Sequence, residues 1–205
     1  MIAAWTLPAA AAELTLVGIF GDKAAILAID GGAPRTIRVG QSAAGITVIA
    51  VEQSPERAIV EVQGKRQVLV RGQTYSSAPG ADGRQSVTLA AGPGGHFTAE
   101  GLVNGRAVRF VVDTGATMVT LPGGDALRLG IDYRKGEAGT MQTAAGPALA
   151  YKVKLDTVRV GGIELNNVDC VVIEKGLNIA LLGMSFLNRV EMKQESGRMT
   201  MLRRY

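Results

Sequence analysis

Short runs rich in Val, Ile and Thr recur along most of this 205-residue chain, and most of them end at a turn that contains Gly. Several runs alternate apolar and polar residues, as residues 57–62 do, and such alternation is typical of strands with one buried face. The 27 Gly residues are scattered rather than periodic, which excludes collagen-like and low-complexity structures. The sequence therefore predicts an all-β protein with many tight turns.

Two β-rich regions are predicted, and a segment without periodic pattern joins them. Residues 13–72 read as short strands separated by turns, and we expect a small β-sandwich or partly open barrel there. Residues 73–95 are rich in Gly, Ser and Ala and are predicted to be a linker. Within this linker, residues 86–90 are a candidate first strand of the second domain.

The second region, residues 96–205, is predicted to be a β domain with one short helix. Asn104-Gly105 is the strongest two-residue hairpin signal in the chain. The helix is predicted over residues 124–129 and ends at Gly130. The remaining predicted strands are residues 96–103, 106–112, 148–160, 168–173, 180–182, 190–194 and 198–202.

Composition excludes several classes of function. The balance of 22 Lys and Arg against 18 Asp and Glu is only mildly basic, and no basic stripe with interleaved aromatics is present, so we predict no nucleic-acid partner. Cys170 is the only cysteine and His96 the only histidine, so neither an intrachain disulfide nor a Cys- or His-rich metal site can form. We therefore predict no metal ion and no cofactor. A Ser-His-Asp hydrolase would have to use His96, and no nucleophile elbow lies near it.

The first twelve residues, MIAAWTLPAAAA, are apolar and end in small residues that suit a cleavage site before Glu13. They lack a positively charged start and are too short for a membrane-spanning helix. We interpret them as the tail of a signal or anchor that begins upstream, which predicts a protein in the periplasm or anchored to the membrane and facing the periplasm. The alternative is an apolar leader without a role.

Asp113-Thr114-Gly115 interrupts an apolar run in the middle of the chain. Residues 110–112 place the carboxylate at the end of a buried strand, and Gly115 permits a turn directly after it. A carboxylate at the mouth of a hydrophobic sheet is in a position where its pKa can be perturbed and used in chemistry. The alternative is a solvated or capping aspartate in a loop.

Two further elements accompany this motif. Residues 180–187, ALLGMSFL, form an apolar strand that reaches Gly183 and continues into apolar residues. Residues 139–147 read as a hairpin with a Gly- and Ala-rich tip. The order and spacing of the three elements resemble the retropepsin family of aspartic proteases, and its bacterial single-domain members most closely. The resemblance covers about half of the chain, roughly residues 94–202.

The resemblance implies a single-lobe closed β-barrel and an aspartic endopeptidase. Asp113 would be the catalytic residue, with Thr114 bracing the site across a dimer and Gly183 packed beside the catalytic loop. Gly115 and Thr117 would support the loop. The residues expected to contact a peptide from the flap hairpin are Met141, Thr143 and Ala144.

One motif in one chain predicts a homodimer. Two carboxylates about three ångströms apart cannot both ionise and so share a proton. The ionised carboxylate then activates a water molecule, and the protonated one polarises the amide carbonyl under attack. Because each chain supplies one Asp113, two chains related by a two-fold axis are needed to cleave a polypeptide substrate.

The sequence departs from the family pattern at several positions. Ala116 stands where cellular pepsins usually carry Ser or Thr, and Met184-Ser185 replaces the charged pair common in viral enzymes. No aromatic residue near Thr143 corresponds to the flap tyrosine of pepsins. These differences concern catalytic efficiency and substrate preference rather than fold.

Residues 13–72 resemble the periplasmic homology-region domain of type II secretion platform proteins. The resemblance is carried by LTLVGIFGDKAAILAIDGGAPRTIRVGQ, an Ile-Thr-Val-Ile strand and VEVQGKRQVLV. It implies an interaction or localisation module with a protein partner in the cell envelope. The alternative function is therefore a non-catalytic envelope protein that binds peptide or scaffolds a secretion complex. A glycosidase that pairs Asp113 with Asp125, Asp132 or Asp156 has little support.

Overall fold

A computed structural model describes residues 13–53, 56–71, 74–76, 84–143 and 146–205. Within these residues the chain folds into eighteen β-strands and two short α-helices, so the predicted all-β class is confirmed. No helix in this part of the chain is long and apolar enough to cross a membrane. Residues 1–12 and Ala144, on which predictions were made, lie outside the described ranges.

The N-terminal strands form two four-stranded sheets, ordered β3-β2-β1-β8 and β4-β5-β6-β7. Leu14, Leu27, Ile46 and Val60 are fully buried in one apolar core that these sheets share. The strands are β1 (Glu13–Phe20), β2 (Ala24–Ile29), β3 (Arg35–Arg38), β4 (Ser42–Ala43), β5 (Ile46–Gln53), β6 (Glu56–Val62), β7 (Lys65–Val70) and β8 (Thr74–Ser76).

The C-terminal strands form a closed barrel and a small separate sheet. The elements are β9 (Ser86–Ala90), β10 (Thr98–Val103), β11 (Arg106–Val112), β12 (Val119–Pro122), α1 (Gly123–Arg128), β13 (Glu137–Thr143), β14 (Gly146–Val160), β15 (Ile163–Ile173), β16 (Ala180–Leu182), α2 (Met184–Leu187), β17 (Val190–Glu195) and β18 (Arg198–Arg203). Six strands follow the order β10-β11-β16-β12-β15-β14, and pairing of β10 with β14 closes the ring. β13 extends the sheet beyond β14 as a hairpin, and β17, β18 and β9 form the separate sheet.

Barrel closure depends on one close approach between strands. A Cβ on Gly101 in β10 would lie 2.4 Å from the carbonyl oxygen of Arg159 in β14, so a larger residue would push these two strands apart. The turn at Asn104-Gly105 joins β10 to β11 with φ angles of 48° and 78°, the left-handed conformations that a tight hairpin turn requires. The hairpin turn at Asn104-Gly105 is confirmed, whereas the close approach at Gly101 was not predicted from the sequence.

The structure contains two short α-helices, whereas the sequence pattern predicted one. The predicted helix at residues 124–129 corresponds to α1. The additional helix, α2, is a single turn in which the amides of Phe186 and Leu187 donate to the carbonyl oxygen of Gly183, each at 3.0 Å. A four-residue helix is too short to leave a helical periodicity in the sequence, which is why the pattern did not reveal it.

The segment predicted as a linker contributes strands to both regions. β8 pairs with β1 in the N-terminal sheet, and β9 pairs with β18 near the C-terminus. Residues 77–83 between them lie outside the described ranges.

Candidate active site

Asp113 lies directly after β11, where the chain leaves the barrel wall. β16 runs parallel to β11, with Val112 opposite Leu182, and it also contacts β12 through the pair Thr120 and Leu181. The loop from β11 to β12 therefore passes over the end of β16 that leads to Gly183. The Asp113 amide donates to the carbonyl oxygen of Leu182 at 3.1 Å, which ties the start of this loop to β16.

The Asp113 carboxylate is half-buried and held by its own loop. The Gly115 amide donates to Asp113 Oδ1 at 2.8 Å, and the Ala116 amide donates to the Asp113 carbonyl oxygen at 3.3 Å. A Cβ on Gly115 would lie 3.2 Å from Oδ1, so glycine allows this amide to approach the carboxylate. Among the described residues, none donates a hydrogen bond to Oδ2. One carboxylate oxygen is thus oriented by the loop.

The other residues of the loop differ in exposure. Thr114, Gly115 and Thr117 are exposed, whereas Ala116 and Met118 are half-buried. The exposed residues flank the carboxylate on the outer surface of the loop. This surface is polar and small, with two hydroxyl groups and no long side chain.

Gly183 packs directly beneath the Asp113 loop. A Cβ at this position would lie 2.1 Å from the carbonyl oxygen of Met118 and 2.7 Å from that of Ala116. The next amide, that of Met184, donates to the Ala116 carbonyl oxygen at 2.8 Å. The two segments that the sequence marks, the Asp113 motif and the residues around Gly183, are therefore brought into backbone contact.

Ser185 connects the loop to the barrel, a role that sequence reasoning missed. Its Oγ accepts a hydrogen bond from the Val119 amide at 2.9 Å and donates one to the Asp169 carbonyl oxygen at 2.7 Å. This hydroxyl therefore joins α2 to the first residue of β12 and to β15. The sequence offers only a weak signal for it, a hydroxyl residue at the start of a short apolar segment.

The hairpin of β13 and β14 carries two of the predicted flap residues, Met141 and Thr143. Met141 pairs with Ala148 and Thr143 with Gly146, and the Thr143 hydroxyl donates to the Gly146 carbonyl oxygen at 2.7 Å. Met141 and Met118 pack against one small apolar cluster outside the main core. The other members of this cluster are Ala148, Ala150, Val171, Ile173 and Leu177. Met118 from the Asp113 loop and Met141 from the hairpin thus share one surface, whereas the Thr143 hydroxyl bonds within the hairpin.

A cavity of about 220 Å³ lies beside this cluster. Met141, Ala150 and Val171 form its apolar part, and Glu137 and Lys152 supply charged groups. The hairpin is also tied to the end of β15, because the Glu174 amide donates to the Leu149 carbonyl oxygen at 3.2 Å.

Glu174 also carries a perturbed carboxyl group. Arg134 donates to Glu174 Oε1 at 2.8 Å, and this hydrogen bond is the largest cause that lowers the pKa of the Glu174 carboxyl. Tyr133 Oη donates to the same oxygen at 3.3 Å. These contacts anchor the residue that follows β15, which lies beside residues 146–149 of the hairpin.

Cys170 and His96, the other reactive side chains considered in the sequence, show no catalytic arrangement among the described residues. Cys170 is fully buried in β15, and burial raises the pKa of its thiol far above the ordinary value, so the thiolate does not form near neutral pH. His96 is exposed, and no hydrogen bond reaches its ring from the described part of the chain. Neither residue forms a nucleophile–base pair with another side chain there.

Comparison with known proteins places the barrel in a family. A family model described as "gag-polyprotein putative aspartyl protease" matches residues 99–189. An uncharacterized protein from the cobV 5' region of a Sinorhizobium species is 38% identical over 116 residues, which cover 56% of this chain and 50% of that protein. A second uncharacterized protein, from Rickettsia prowazekii, is 38% identical over 104 residues, which cover 50% and 45%. The chain thus spans about half the length of the curated relatives it matches.

A solved structure agrees with this assignment. The crystal structure of a retropepsin-like aspartic protease from Rickettsia conorii is 32% identical, with a TM-score of 0.52, and the match covers 58% of this chain and 90% of that one. These similarities concern the aspartic protease region, and the resemblance of residues 13–72 to type II secretion proteins remains a prediction. The chain belongs to the family of retropepsin-like aspartic proteases.

Proposed function

We propose that the protein is an aspartic endopeptidase whose active site forms from the Asp113 carboxylates of two chains. Family membership supports the reaction class. The observation that carries the proposal is the geometry of Asp113, whose Oδ1 is held at 2.8 Å by the Gly115 amide at the exposed end of β11. A single oriented carboxylate on an exposed loop is half of the dyad that this chemistry requires.

The mechanism follows from the shared proton. With two Asp113 side chains in contact, one is ionised and takes a proton from the attacking water, and the other is protonated and polarises the peptide carbonyl. The Gly115 amide donates to Oδ1 and so fixes the orientation of the carboxylate. Oδ2, which accepts no hydrogen bond from the described residues, faces the shared proton and the water.

The dimer would be isologous, with the same loop surface used by both chains. The exposed Thr114 and Gly115 lie beside Asp113 and form the contact nearest the two-fold axis. The Thr114 hydroxyl braces one loop against the other, and Thr117 holds the outer part of the turn. In each chain, Gly183 supports the Asp113 loop of that chain from below, because its small size lets the backbone around it approach the loop.

The substrate would be a polypeptide with an apolar side chain near the cleaved bond. Met118 and Met141 share an apolar cluster with Ile173, and that surface extends from the Asp113 loop to the hairpin. An apolar side chain buried against such a surface contributes about 1.5–3 kcal/mol to binding. Met141, Thr143 and Ala144 are the proposed flap contacts to the peptide.

Location and further partners remain predictions. We propose that the protein works in the periplasm or anchored to the membrane facing it, and that residues 13–72 contact an envelope protein. These proposals depend on the composition of residues 1–12 and on the resemblance of the N-terminal domain.

Replacing Asp113 with Asn tests the proposal, because asparagine keeps the size of the side chain and removes its ionisation. We expect the variant to cleave no peptide in a mixed peptide library that the wild type cleaves, with circular dichroism and melting temperature unchanged. Asp156→Asn is the matched control, since Asp156 is exposed in β14, and it should cleave at the wild-type rate. Full cleavage by Asp113→Asn contradicts the proposal. Absence of cleavage by the wild type under all conditions favours the non-catalytic peptide-binding alternative.

A further inference from the structure

β10 is buried on both of its faces, although only one face meets the barrel core. Ala99 and Val103 are fully buried in that core. The alternate residues Glu100 and Leu102 point the other way and are still only 7% and 4% exposed. Strand residues that alternate between two buried faces need a covering layer on each side.

The covering layer is the N-terminal domain. Val68 of β7 forms a buried apolar cluster with Leu102 and Ala107, and Ile59 of β6 packs against it. Val68 is turned away from its own sandwich core, in which its neighbour Leu69 is buried. β7 thus uses one face for the N-terminal core and the other for the barrel. We name Ile59 and Val68 together with Leu102 and Ala107 the docking face.

A buried charge cluster lies next to the docking face. The side chain of Glu100 is 2% exposed, and Arg57 of the N-terminal domain approaches it at 3.3 Å. Arg109 Nε in β11 lies 2.8 Å from Glu100 Oε1, which is close enough for an ion pair although the hydrogen-bond geometry is poor. Arg57 is also held within its own domain by Glu52, with its Nε 2.8 Å from Glu52 Oε2. Arg57 is therefore held both by Glu52 of its own domain and by Glu100 of the barrel.

A third contact extends the interface to β14. Arg159 Nη1 donates to the carbonyl oxygen of Arg66 at 2.5 Å, and Glu164 neutralises the same guanidinium. The contacts to β10, β11 and β14 lie on adjacent strands of the barrel. Two domains that are joined only by a flexible linker would not be expected to bury matched apolar and ionisable side chains against each other, as the N-terminal domain and the barrel do here.

The docked strands are those that lead to Asp113. β10 and β11 form one hairpin in which Leu102 pairs with Ala107 and Glu100 with Arg109. Asp113 follows four residues after Arg109, which corresponds to about 13 Å of extended strand. We propose that the N-terminal domain is a positioning layer of the protease: it docks on the outer face of the β10–β11 hairpin and holds the strand that ends at Asp113. The proposal rests on the proposed function of Asp113, and its docking part can be tested without activity.

Val68→Asp is the test variant, because it places a carboxylate in an apolar contact without changing the sandwich core. Val17→Asp is the matched control, since Val17 is 40% exposed in β1 of the same domain. We expect Val68→Asp to speed hydrogen exchange of the β10 and β11 amides by about tenfold or more. We expect kcat on a cleaved peptide to fall by roughly ten- to a hundredfold with KM within about twofold, because a displaced catalytic group mainly slows the chemical step. Val17→Asp should change neither measurement.

Arg57→Met is the second variant, and it tests the docking by the same measurements if Val68→Asp does not fold. Folding of the N-terminal domain is judged by hydrogen-exchange protection in β1 and β2. Its control is Arg71→Met, which removes an ion pair to Glu56 from an arginine that is 60% exposed. Faster exchange in β10 and β11 with unchanged kcat overturns the positioning role. Unchanged exchange in both variants overturns the docking. A wild type that cleaves no peptide defeats the proposed function, and the exchange data then decide the docking alone.

Discussion

Replacing Gly183 with Ala tests the packing that supports the Asp113 loop. The added methyl group would lie 2.1 Å from the Met118 carbonyl oxygen and 2.7 Å from the Ala116 carbonyl oxygen. Real Cβ atoms essentially never approach such atoms within 3.0 Å, so one backbone segment must move by at least about 0.9 Å relative to the other. Both contacts are to main-chain atoms, and no rotamer change can relieve them.

The displacement has two expected consequences. Overpacking of this kind costs about 1–3 kcal/mol of folding free energy, and we expect the upper end because backbone must shift. A catalytic group misplaced by about 1 Å costs roughly a hundredfold in rate, so cleavage should fall by about that factor. The loop carries Asp113 three residues before Ala116, and the shift therefore reaches the carboxylate.

Denaturant unfolding and peptide cleavage measure the two effects on the same samples. Gly124→Ala is the matched control, because a Cβ there meets nothing within 4 Å and the position lies in α1. This control should be neutral or slightly stabilising, by a few tenths of a kcal/mol, since alanine favours a helix over glycine. Wild-type stability and rate in Gly183→Ala would refute the packing argument. Equal losses of stability and cleavage rate in Gly183→Ala and Gly124→Ala would also refute it, because the close backbone contacts exist only at Gly183.

Two further predictions concern residues around the site and the domain interface. Ser185→Ala leaves the Val119 amide and the Asp169 carbonyl without the hydroxyl partner, and it should lower the unfolding free energy measured with denaturant by about 1–3 kcal/mol. The control Ser42→Ala, on the exposed N-terminal surface, should lower it by less than about 0.5 kcal/mol. Equal losses in the two variants would contradict the bridging role of Ser185. Burial raises the pKa of the Glu100 carboxyl more than its arginine neighbours lower it, so the stability contributed by the neutral form is lost as pH rises through the raised value. The unfolding free energy of the wild type, relative to that of Glu100→Gln, should therefore fall as the pH rises above the ordinary glutamate pKa of 4.5, and a relative rise would contradict the assignment.

The strand pattern and the turns were readable from the sequence because they depend on local chemistry. Alternating burial along β6, the Asn104-Gly105 turn and the apolar strand before Asp113 each follow from a few neighbouring residues. The contact between the Asp113 loop and Gly183 was predicted only from the family resemblance, because the two segments are distant in the chain and local patterns do not connect them.

The remaining features depend on long-range packing that one sequence does not encode locally. Ser185 bridges β12 and β15, and its importance comes from the distance to Val119 and Asp169 rather than from its neighbours. Glu100 reads as an ordinary polar strand residue, and the docked N-terminal domain makes it a buried carboxyl group. The one-turn helix α2 is too short for a periodic signal.

The central claim, that two copies of Asp113 form one site, is tested most directly by mixing chains. Wild type and Asp113→Asn are combined in equal amounts, allowed to exchange subunits, and assayed for peptide cleavage, with Asp156→Asn in the control mixture. If one site needs both carboxylates, roughly one quarter of the dimers remain fully active, and activity per wild-type chain falls to about half. Unchanged activity per wild-type chain in the Asp113→Asn mixture would contradict a shared site.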